Sequence, residues 1–374
     1  MLKLDWDIKN NGKAGFPFYM EKEICEQPSV IEKTIKSRTN GDMPDFSGER
    51  IDESIFEKCD NITVIACGTA MHAGLIGKHL IEKYCKIPVS VNMASEYMYC
   101  DPIINDRTLV ICVSQSGETI DTLEALKYAK RNGAMTLSIV NVRGSSIAQA
   151  SDNVIYTDAG PEIAVASTKA YTTQLVCMYM LGLYMGRKKG IISDEVYKKY
   201  IDELLAVPDK LASLLKQEKK IEALAKKLYK RNNVFFIGRG NDAAVAYEGS
   251  LKLKEISYIN SFAIAAGELK HGTIALIEQD TLVIALATQD RLFDKMLSNI
   301  QEVKARGAFV VGIAKENNID IELQSEAVIY IPECMDDITP LLSIVPLQLL
   351  AYYIAKLRGC DIDKPKNLAK SVTV

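Results

Sequence analysis

The sequence is poor in the residues from which metal, redox and nucleic-acid sites are usually built. Its three histidines, at positions 72, 79 and 271, have no spacing typical of metal ligands, and its nine cysteines include no Cys-x-x-Cys pair. The net charge of −3 provides no basic surface for nucleic acid. We therefore expect no metal, no cofactor and no nucleic-acid partner.

Long apolar runs are missing as well. No stretch reaches the ~18 residues of a membrane span, and the first residues form no apolar signal region. Several cysteines, such as Cys112 and Cys177, fall inside strand or helix patterns, as reduced core thiols do. The sequence indicates a cytoplasmic protein without membrane contact, and its 374 residues suit two globular domains.

One segment combines a strand pattern, a hydroxyl-rich loop and a helix start. Thr108-Leu-Val-Ile-Cys-Val predicts a buried parallel strand, Ser114-Gln-Ser-Gly-Glu-Thr119 a loop, and the next residues a helix that stops at Gly133. Backbone N–H groups, a helix dipole and hydroxyls at one point suit a phosphate monoester. The lysine of the nucleotide-binding loop is absent, so a nucleotide is not expected first. A simple turn whose serines cap the helix explains the loop equally well.

The same strand and loop pattern occurs a second time. Thr281-Leu-Val-Ile-Ala-Leu-Ala-Thr-Gln repeats the segment that begins at Thr108 (281 − 108 = 173), and the strand patterns at Ile62 and Asn233 also correspond. We interpret this as a duplicated α/β domain, because each copy alternates strands with helices and so predicts a parallel sheet. In the second copy Ala287 and Gln289 stand opposite Ser114 and Ser116, so only the first copy is expected to bind an anion.

The predicted fold is α/β, with two tandem domains that are each a doubly wound parallel sheet flanked by helices. The N-terminal region contains a short helix from Met20 that Pro28 interrupts, and the stretch from Ser193 to Tyr229 is helical in pattern. We divide the chain into an N-terminal linker and helix, a first domain, a helical connector, a second domain and a C-terminal tail, at residues 1–50, 51–190, 191–228, 229–360 and 361–374.

Three further features suggest chemistry, and each has a simpler explanation. Lys252 and Glu255 share one helical face, as would a solvated pair worth only ~0.2–0.5 kcal/mol. His271 lies between charges and glycines, which suits an exposed, titratable imidazole or a loop-stabilising residue. The tail from Asp363 to Val374 has little periodicity and resembles a frayed end.

Taken together, the motifs resemble the glucosamine-6-phosphate synthase family, in the half that contains two sugar isomerase (SIS) domains. The similarity extends in order from about Trp6 to Val374. It is carried by Cys67-Gly-Thr, Ser114-Gln-Ser-Gly-Glu-Thr-x-Asp-Thr, Ala159-Gly-Pro-Glu-x-x-Val-Ala-Ser-Thr-Lys, Glu248-Gly-x-Leu-Lys-Leu-Lys-Glu-Ile-Ser-Tyr, Gly267-Glu-Leu-Lys-His-Gly and Pro365-x-Asn-Leu-Ala-Lys-Ser-Val-Thr-Val.

The resemblance implies an isomerizing aminotransferase of amino sugar synthesis that converts fructose 6-phosphate to glucosamine 6-phosphate. Alone, the chain is expected to interconvert fructose 6-phosphate and glucose 6-phosphate. By the resemblance, Glu255 moves the proton between C1 and C2, Lys252 stabilises the intermediate, and Lys370 forms a Schiff base with the ketose. His271 opens the sugar ring and is lent by the other subunit of a homodimer.

The resemblance also implies a set of ligand-binding residues. Ser114, Gln115, Ser116 and Thr119 correspond to the phosphate-binding loop, with Cys67, Gly68 and Thr69 nearby. Val165 and Ser167 correspond to residues that line the sugar pocket. Ala369 corresponds to a backbone contact beside the catalytic lysine.

Two departures from the family pattern affect these expectations. Ala70 replaces the usual serine after Cys67-Gly-Thr, which removes one hydroxyl near the ligand. The family's glutaminase half has no counterpart before Trp6, so we expect no glutamine hydrolysis and a need for ammonia or a separate glutaminase domain.

Two other functions fit a pair of SIS domains. A deglycase acting on a phosphorylated fructose–amine adduct is one, although the tail motif favours the synthase reading. A sugar-phosphate sensor without catalysis is the other, and joint retention of Glu255, His271 and Lys370 argues against it.

Overall fold

The computed structural model describes residues 12–40 and 43–373, so Trp6 lies outside the described residues. Its first elements are two helices, a short strand pair and a third helix. Pro28 lies in the first turn of the second helix, where its missing N–H costs nothing, so it begins a helix rather than only interrupting one. The bounds are α1 (Tyr19–Cys25), α2 (Gln27–Lys36), β1 (Thr39–Asn40), β2 (Met43–Pro44) and α3 (Ser54–Lys58).

The first large unit is a five-stranded parallel sheet with helices between its strands. Its central strand is the apolar run predicted from the sequence and is buried along its whole length. The elements are β3 (Asn61–Ala66), α4 (Gly68–Cys85), β4 (Val89–Met93), α5 (Ala94–Tyr97), β5 (Thr108–Ser114), α6 (Ile120–Arg131), β6 (Met135–Val140), α7 (Ser146–Ala150), β7 (Asn153–Tyr156) and α8 (Lys169–Lys188).

The helical stretch between the units forms two helices, which are separated by a break at residues 216–217. The first of them contacts α2, α8 of the first unit and the last helix of the chain in the second unit, so it touches both units. The two connector helices are α9 (Asp194–Leu215) and α10 (Glu218–Leu228).

The second large unit is another five-stranded parallel sheet. Short 3-10 helices follow its second strand, at Ala266–His271 and Thr273–Leu276. Its main elements are β8 (Asn233–Gly238), α11 (Asn241–Ser257), β9 (Asn260–Ala265), β10 (Leu282–Ala287), α12 (Phe293–Lys304), β11 (Phe309–Lys315), β12 (Ala327–Ile331) and α13 (Thr339–Leu357).

Both sheets have the same strand order. The first is β4-β3-β5-β6-β7 and the second is β9-β8-β10-β11-β12. When the strands are numbered within their own unit, the order in both sheets is 2-1-3-4-5. The shared order confirms the predicted fold of two tandem, doubly wound α/β domains. In such sheets the strand order reverses between the first and third strands, and ligands bind there beyond the carboxyl ends.

Helix α13 forms the centre of the second domain's helical packing. Contrary to the expectation from the sequence, among the described residues this one helix is long and apolar enough to cross a membrane, yet 89% of its most apolar window is buried inside the protein. It contacts α9, α10 and α11, so its apolar surface is covered by other helices. A core helix therefore accounts for its composition.

The cysteines match the expected pattern of free thiols. All nine lie within the described residues and all are free. Burial raises the pKa of both Cys112 and Cys177 to about 12, so neither forms a thiolate near neutral pH.

Candidate active site

A cleft of about 190 Å³ opens at the point where the strand order of the first sheet reverses. Residues that follow β3 and β5 form one side, and residues of α11 and the C-terminal tail form the other. Thirteen of the fourteen residues proposed from the sequence line this cleft, namely Cys67, Gly68, Thr69, Ser114, Gln115, Ser116, Thr119, Val165, Ser167, Lys252, Glu255, Ala369 and Lys370.

The loop after β5 is ordered by its own hydroxyl groups. Gly117 N donates to Ser114 Oγ over 3.1 Å, and Glu118 N donates to Ser116 Oγ over 3.1 Å. Ser114 Oγ also lies 3.4 Å from the Oγ1 of Thr119, the N-cap residue of α6. These bonds collect hydroxyls at the positive end of a twelve-residue helix, an arrangement that suits an anion.

A glycine is required inside this loop. Gly117 has a φ of +67°, and a Cβ there would meet Ser145 Oγ at 2.0 Å. Its carbonyl accepts from Ile147 N over 2.9 Å, while the Glu118 carboxylate accepts from Ser146 N over 2.9 Å. Hydrogen bonds from α7 therefore hold this loop in place. Any residue with a side chain at position 117 would displace the loop.

A buried charge cluster forms the opposite side of the cleft. Lys252 has no exposed surface, and its Nζ lies 2.7 Å from Glu255 Oε2 and 3.3 Å from Glu248 Oε1. Lys252 Nζ also donates to Thr69 Oγ1 over 2.9 Å, and Thr69 Oγ1 donates to Glu248 over 3.0 Å. The solvated-pair interpretation of Lys252 and Glu255 is wrong, because α4 of the first domain covers this face of α11.

The protonation states in this cluster follow from its contacts. Burial alone would lower the pKa of Lys252, but the carboxylates of Glu248 and Glu255 outweigh it and raise that pKa above its ordinary value. Burial would raise the pKa of Glu248, yet Lys252, together with hydrogen bonds from His72 and Thr69, leaves it lowered. Lys252 is thus a permanent cation beside the cleft, suited to stabilising negative charge and not to acting as a nucleophile.

The C-terminal tail enters the cleft and places Lys370 on a carboxylate. Lys370 Nζ lies 2.5 Å from Glu162 Oε2 and donates to the Ala164 carbonyl over 2.7 Å. Val372 O accepts from Ile120 N over 3.1 Å, so the tail also contacts the first turn of α6. Lys370 outweighs burial and lowers the pKa of Glu162, which is therefore ionised. In these contacts the tail is a wall of the cleft and not a frayed end.

His271 is placed differently from the other residues proposed from the sequence. It is exposed at the end of the 3-10 helix Ala266–His271, as its sequence context indicated. Among the described residues that line the cleft of this one chain it does not appear. The structure of a single chain therefore does not bring His271 together with Glu255 and Lys370.

The sequence reasoning overlooked several polar residues of the site. Glu248 and Glu162 lie within the motifs given above, but the motifs do not distinguish them as site residues. In the structure each pairs with a lysine of the cleft. His72, whose Nδ1 lies 2.7 Å from Glu248 Oε2, was considered only as a metal ligand. Gln174 of α8 lines the cleft with its Oε1 buried and unpaired among the described residues. The four-residue spacing of Glu248 and Lys252 was the one signal available.

At the corresponding edge of the second domain, after β10 and β11, the polar side chains pair with one another. Thr288 donates from its N and Oγ1 to Asp242, over 2.7 and 2.5 Å, and burial raises the pKa of Asp242 to about 6. Lys315 Nζ lies 2.7 Å from both Asp290 and Asp336. Carboxylates gathered at this edge disfavour a phosphate.

Comparisons with known proteins agree with this geometry. The model of the SIS domain family matches residues 55–184 and 227–358. The chain is 53% identical over 375 residues to the glutamine–fructose-6-phosphate aminotransferase [isomerizing] of Caldanaerobacter subterraneus subsp. tengcongensis, and 51% identical over 372 residues to that of Clostridium acetobutylicum. These alignments cover 100% and 99% of the chain but 62% and 61% of the relatives, so the chain spans about three fifths of their length.

A solved structure gives the same result. The C-terminal domain of glucosamine-fructose-6-phosphate aminotransferase from Francisella tularensis superimposes with a TM-score of 0.91 and 38% identity, covering 94% of this chain and 100% of that one. Fold and cleft thus define a pair of SIS domains, with a hydroxyl-rich loop of the first and a charge cluster of the second lining the same cleft. Within that class, the chain belongs to the isomerizing glutamine–fructose-6-phosphate aminotransferase family and corresponds to its C-terminal, isomerase part.

Proposed function

We propose that this chain binds fructose 6-phosphate in the cleft and isomerises it, and that it forms glucosamine 6-phosphate when ammonia is supplied. The observation that carries the proposal is the composition of one cleft. The loop at residues 114–119, called the anion loop below, lines the same cleft as a buried cation, a carboxylate and a lysine on the tail. The relatives named above act on fructose 6-phosphate by their names.

The chemistry can be assigned residue by residue. Ser114, Ser116 and Thr119 would donate to the phosphate dianion at the start of α6. Once it has lost a proton, the Lys370 amine would attack the C2 carbonyl of the open-chain ketose, and the carbonyl oxygen would leave as water to give the imine. Glu162 is the carboxylate in contact with its ammonium and would accept that proton.

Proton transfer between C1 and C2 would then fall to Glu255, whose carboxylate lines the cleft. Lys252, 2.7 Å from that carboxylate, would stabilise the negative charge that develops on the enolate or enolamine. Because the pKa of Lys252 is raised by two carboxylates, it keeps its charge throughout.

Ring opening requires a group that exchanges protons near neutral pH, and we assign it to His271 of a second subunit. The support is that His271 is exposed in one chain and absent from the described residues lining the cleft. The active form would accordingly be a homodimer. We further propose a cytoplasmic protein that receives ammonia from a glutaminase domain or another source.

Product analysis by NMR tests this function. With fructose 6-phosphate alone we expect slow formation of glucose 6-phosphate, and with ammonium also glucosamine 6-phosphate. A deglycase would instead release fructose 6-phosphate or glucose 6-phosphate from a fructose–amine phosphate adduct and make no amino sugar. Binding without turnover under both conditions would identify a sensor and contradict the proposal.

A further inference from the structure

Helix α1, which precedes both SIS domains in the chain, contacts the loop that holds Lys370. Glu23 on this helix is 2% exposed, and its Oε1 accepts from Ile163 N over 2.5 Å and from Ala164 N over 3.3 Å. The carbonyl of Ala164 in turn accepts from Lys370 Nζ over 2.7 Å. One residue of the N-terminal helix is thus two hydrogen bonds away from the proposed nucleophile.

The loop from Glu162 to Val165 is fixed on both sides by residues distant in sequence. Glu162 Oε1 accepts from Thr168 N and Ala170 N over 2.9 and 3.0 Å, at the start of α8. Val165 N donates to the carbonyl of Asp363 over 3.0 Å. Between these two anchored ends, the backbone N–H groups of residues 163 and 164 donate to the carboxylate of Glu23.

The tail and α1 are also connected directly. Tyr19 N and Met20 N, in the first turn of α1, donate to the carboxylate of Asp363 over 3.0 and 3.1 Å. Asp363 therefore contacts α1 through its side chain and the cleft loop through its carbonyl. Hydrogen bonds therefore connect helix α1, the loop and the tail to one another.

We propose that Glu23 is a positioning residue that sets the place of the Lys370 amine in the cleft. Without it, Ile163 N and Ala164 N lose a buried acceptor, and the Ala164 carbonyl that helps hold Lys370 is free to turn away. An attack on a carbonyl depends steeply on the position of the nucleophile, and a displacement of about 1 Å can cost on the order of 100-fold in rate.

This role presupposes the Schiff base on Lys370 that was proposed above, and it adds a residue that the reaction itself does not touch. Glu23 does not appear among the described residues that line the cleft. Phosphate binding resides on a different element, the loop before α6, so it should be insensitive to Glu23. Loss of Glu23 is therefore expected to change the chemical step and not the affinity for the sugar phosphate.

The test uses the whole chain with fructose 6-phosphate and borohydride, which reduces the imine and fixes the sugar phosphate on Lys370. In Glu23→Met, which has similar volume and no acceptor, we expect the rate of adduct formation to fall on the order of tenfold, with KM within about twofold. In Glu23→Gln, which keeps an acceptor oxygen, we expect a rate within about threefold of the unaltered chain. If Glu23→Met does not fold, Glu23→Ala replaces it.

Glu21 offers a matched control on the same helix. It is 8% exposed and accepts from Tyr352 Oη of α13 over 2.7 Å, away from the cleft loop. Glu21→Met should lose comparable stability but form the adduct within about twofold of the normal rate. A normal rate in folded Glu23→Met, or an equal loss in Glu21→Met, would overturn the positioning role. Absence of any Lys370 adduct in the unaltered chain would instead refute the Schiff base itself.

Discussion

Lys252 of α11 and Thr69 of α4 join the two SIS domains through a hydrogen bond of 2.9 Å between Nζ and Oγ1. The Thr69 hydroxyl donates its own hydrogen bond to Glu248 over 3.0 Å, so in this structure its one donor is engaged within the cluster. The Thr69 hydroxyl, which the family resemblance assigns to the surroundings of the phosphate, therefore also orders Lys252 and Glu248. Each domain contributes to the environment of the other's functional groups.

The anion loop gives the first prediction. Replacing Ser114 and Ser116 together by alanine should raise the KM for fructose 6-phosphate at least tenfold, because two donors to a dianion and two bonds that shape the loop are lost. Steady-state kinetics measures the change. Ser298→Ala on the exposed face of α12 is the control and should leave KM unchanged. An unchanged KM in the double variant would remove this loop from the ligand site.

The buried cluster gives the second prediction. Glu248→Ala should lower the free energy of unfolding by ~3–5 kcal/mol, because it leaves the fully buried Lys252 with one carboxylate fewer. The paired change Glu248→Leu with Lys252→Met should recover most of that stability, since neither buried charge remains. Chemical denaturation gives both values. Isomerase activity should stay lost in the paired variant, and its return would show that Lys252 has no part in catalysis.

These two cases show what could be predicted from the sequence. The strand at Thr108–Ser114 was predictable because its apolar run is short, rich in β-branched residues and followed by a hydroxyl-rich loop, which together favour a buried strand over a helix. The burial of Lys252 could not be predicted, because charged residues three or four positions apart have the same sequence pattern on a buried helix as on a solvated one. What buries them is α4, which is more than 160 residues away in the sequence.

The same reason explains the residues of the tail and loop. Nothing in the motif around Glu162 indicates a functional carboxylate, and its partner Lys370 lies 208 residues later in the sequence. No local period connects two such positions, so geometry alone brings them together. Family resemblance supplied Lys370, whereas it supplied neither Glu162 nor Glu23.

The third prediction concerns His271. Mixed dimers of His271→Ala and Glu255→Ala should regain activity, because one of the two sites in each mixed dimer contains both intact groups. With equal amounts and complete subunit exchange, about a quarter of all sites should be active. Activity is measured before and after mixing, with exchange verified by a mass label. Failure to recover despite verified exchange would place His271 and Glu255 in one subunit or outside catalysis.

The fourth prediction concerns Lys370. Deletion of residues 368–374 should abolish turnover, because it removes the amine together with the wall formed by Ala369–Val372. The fold and phosphate affinity should be largely kept, since the anion loop is on another element. Lys370→Ala, which retains the wall, separates the two effects and should also be inactive. Normal isomerisation by the truncated chain would make the tail purely structural.

The fifth prediction is a pH dependence of stability that arises from Glu23. Burial first, and then the charge of Glu162, raise the pKa of Glu23 from 4.5 to about 8, against lowering contributions from the hydrogen bond of Ile163 N and then from Lys370 and Lys169. The folded state therefore holds a proton that the unfolded chain releases near pH 4.5, so this contribution to stability is full below pH 4.5 and is lost as the pH rises to about 8.

Glu23→Gln cannot ionise and should not show this loss. Relative to the unaltered chain, its free energy of unfolding should increase between pH 5 and pH 9 by at least ~1 kcal/mol, since one pKa unit corresponds to ~1.4 kcal/mol. Denaturation at several pH values measures the difference. A constant difference across the range would mean that Glu23 is ionised throughout.

The shared cleft limits how freely this tandem duplication can be divided. Expressed alone, the first domain would keep the anion loop but lose the cation and carboxylates of α11, while the second would expose Lys252 and Glu248 where α4 now covers them. The two copies have the same strand order yet are not interchangeable modules. Any insertion, domain exchange or circular permutation must preserve the contact between α4 and α11, because that contact brings the loop of one domain and the charge cluster of the other into a single cleft.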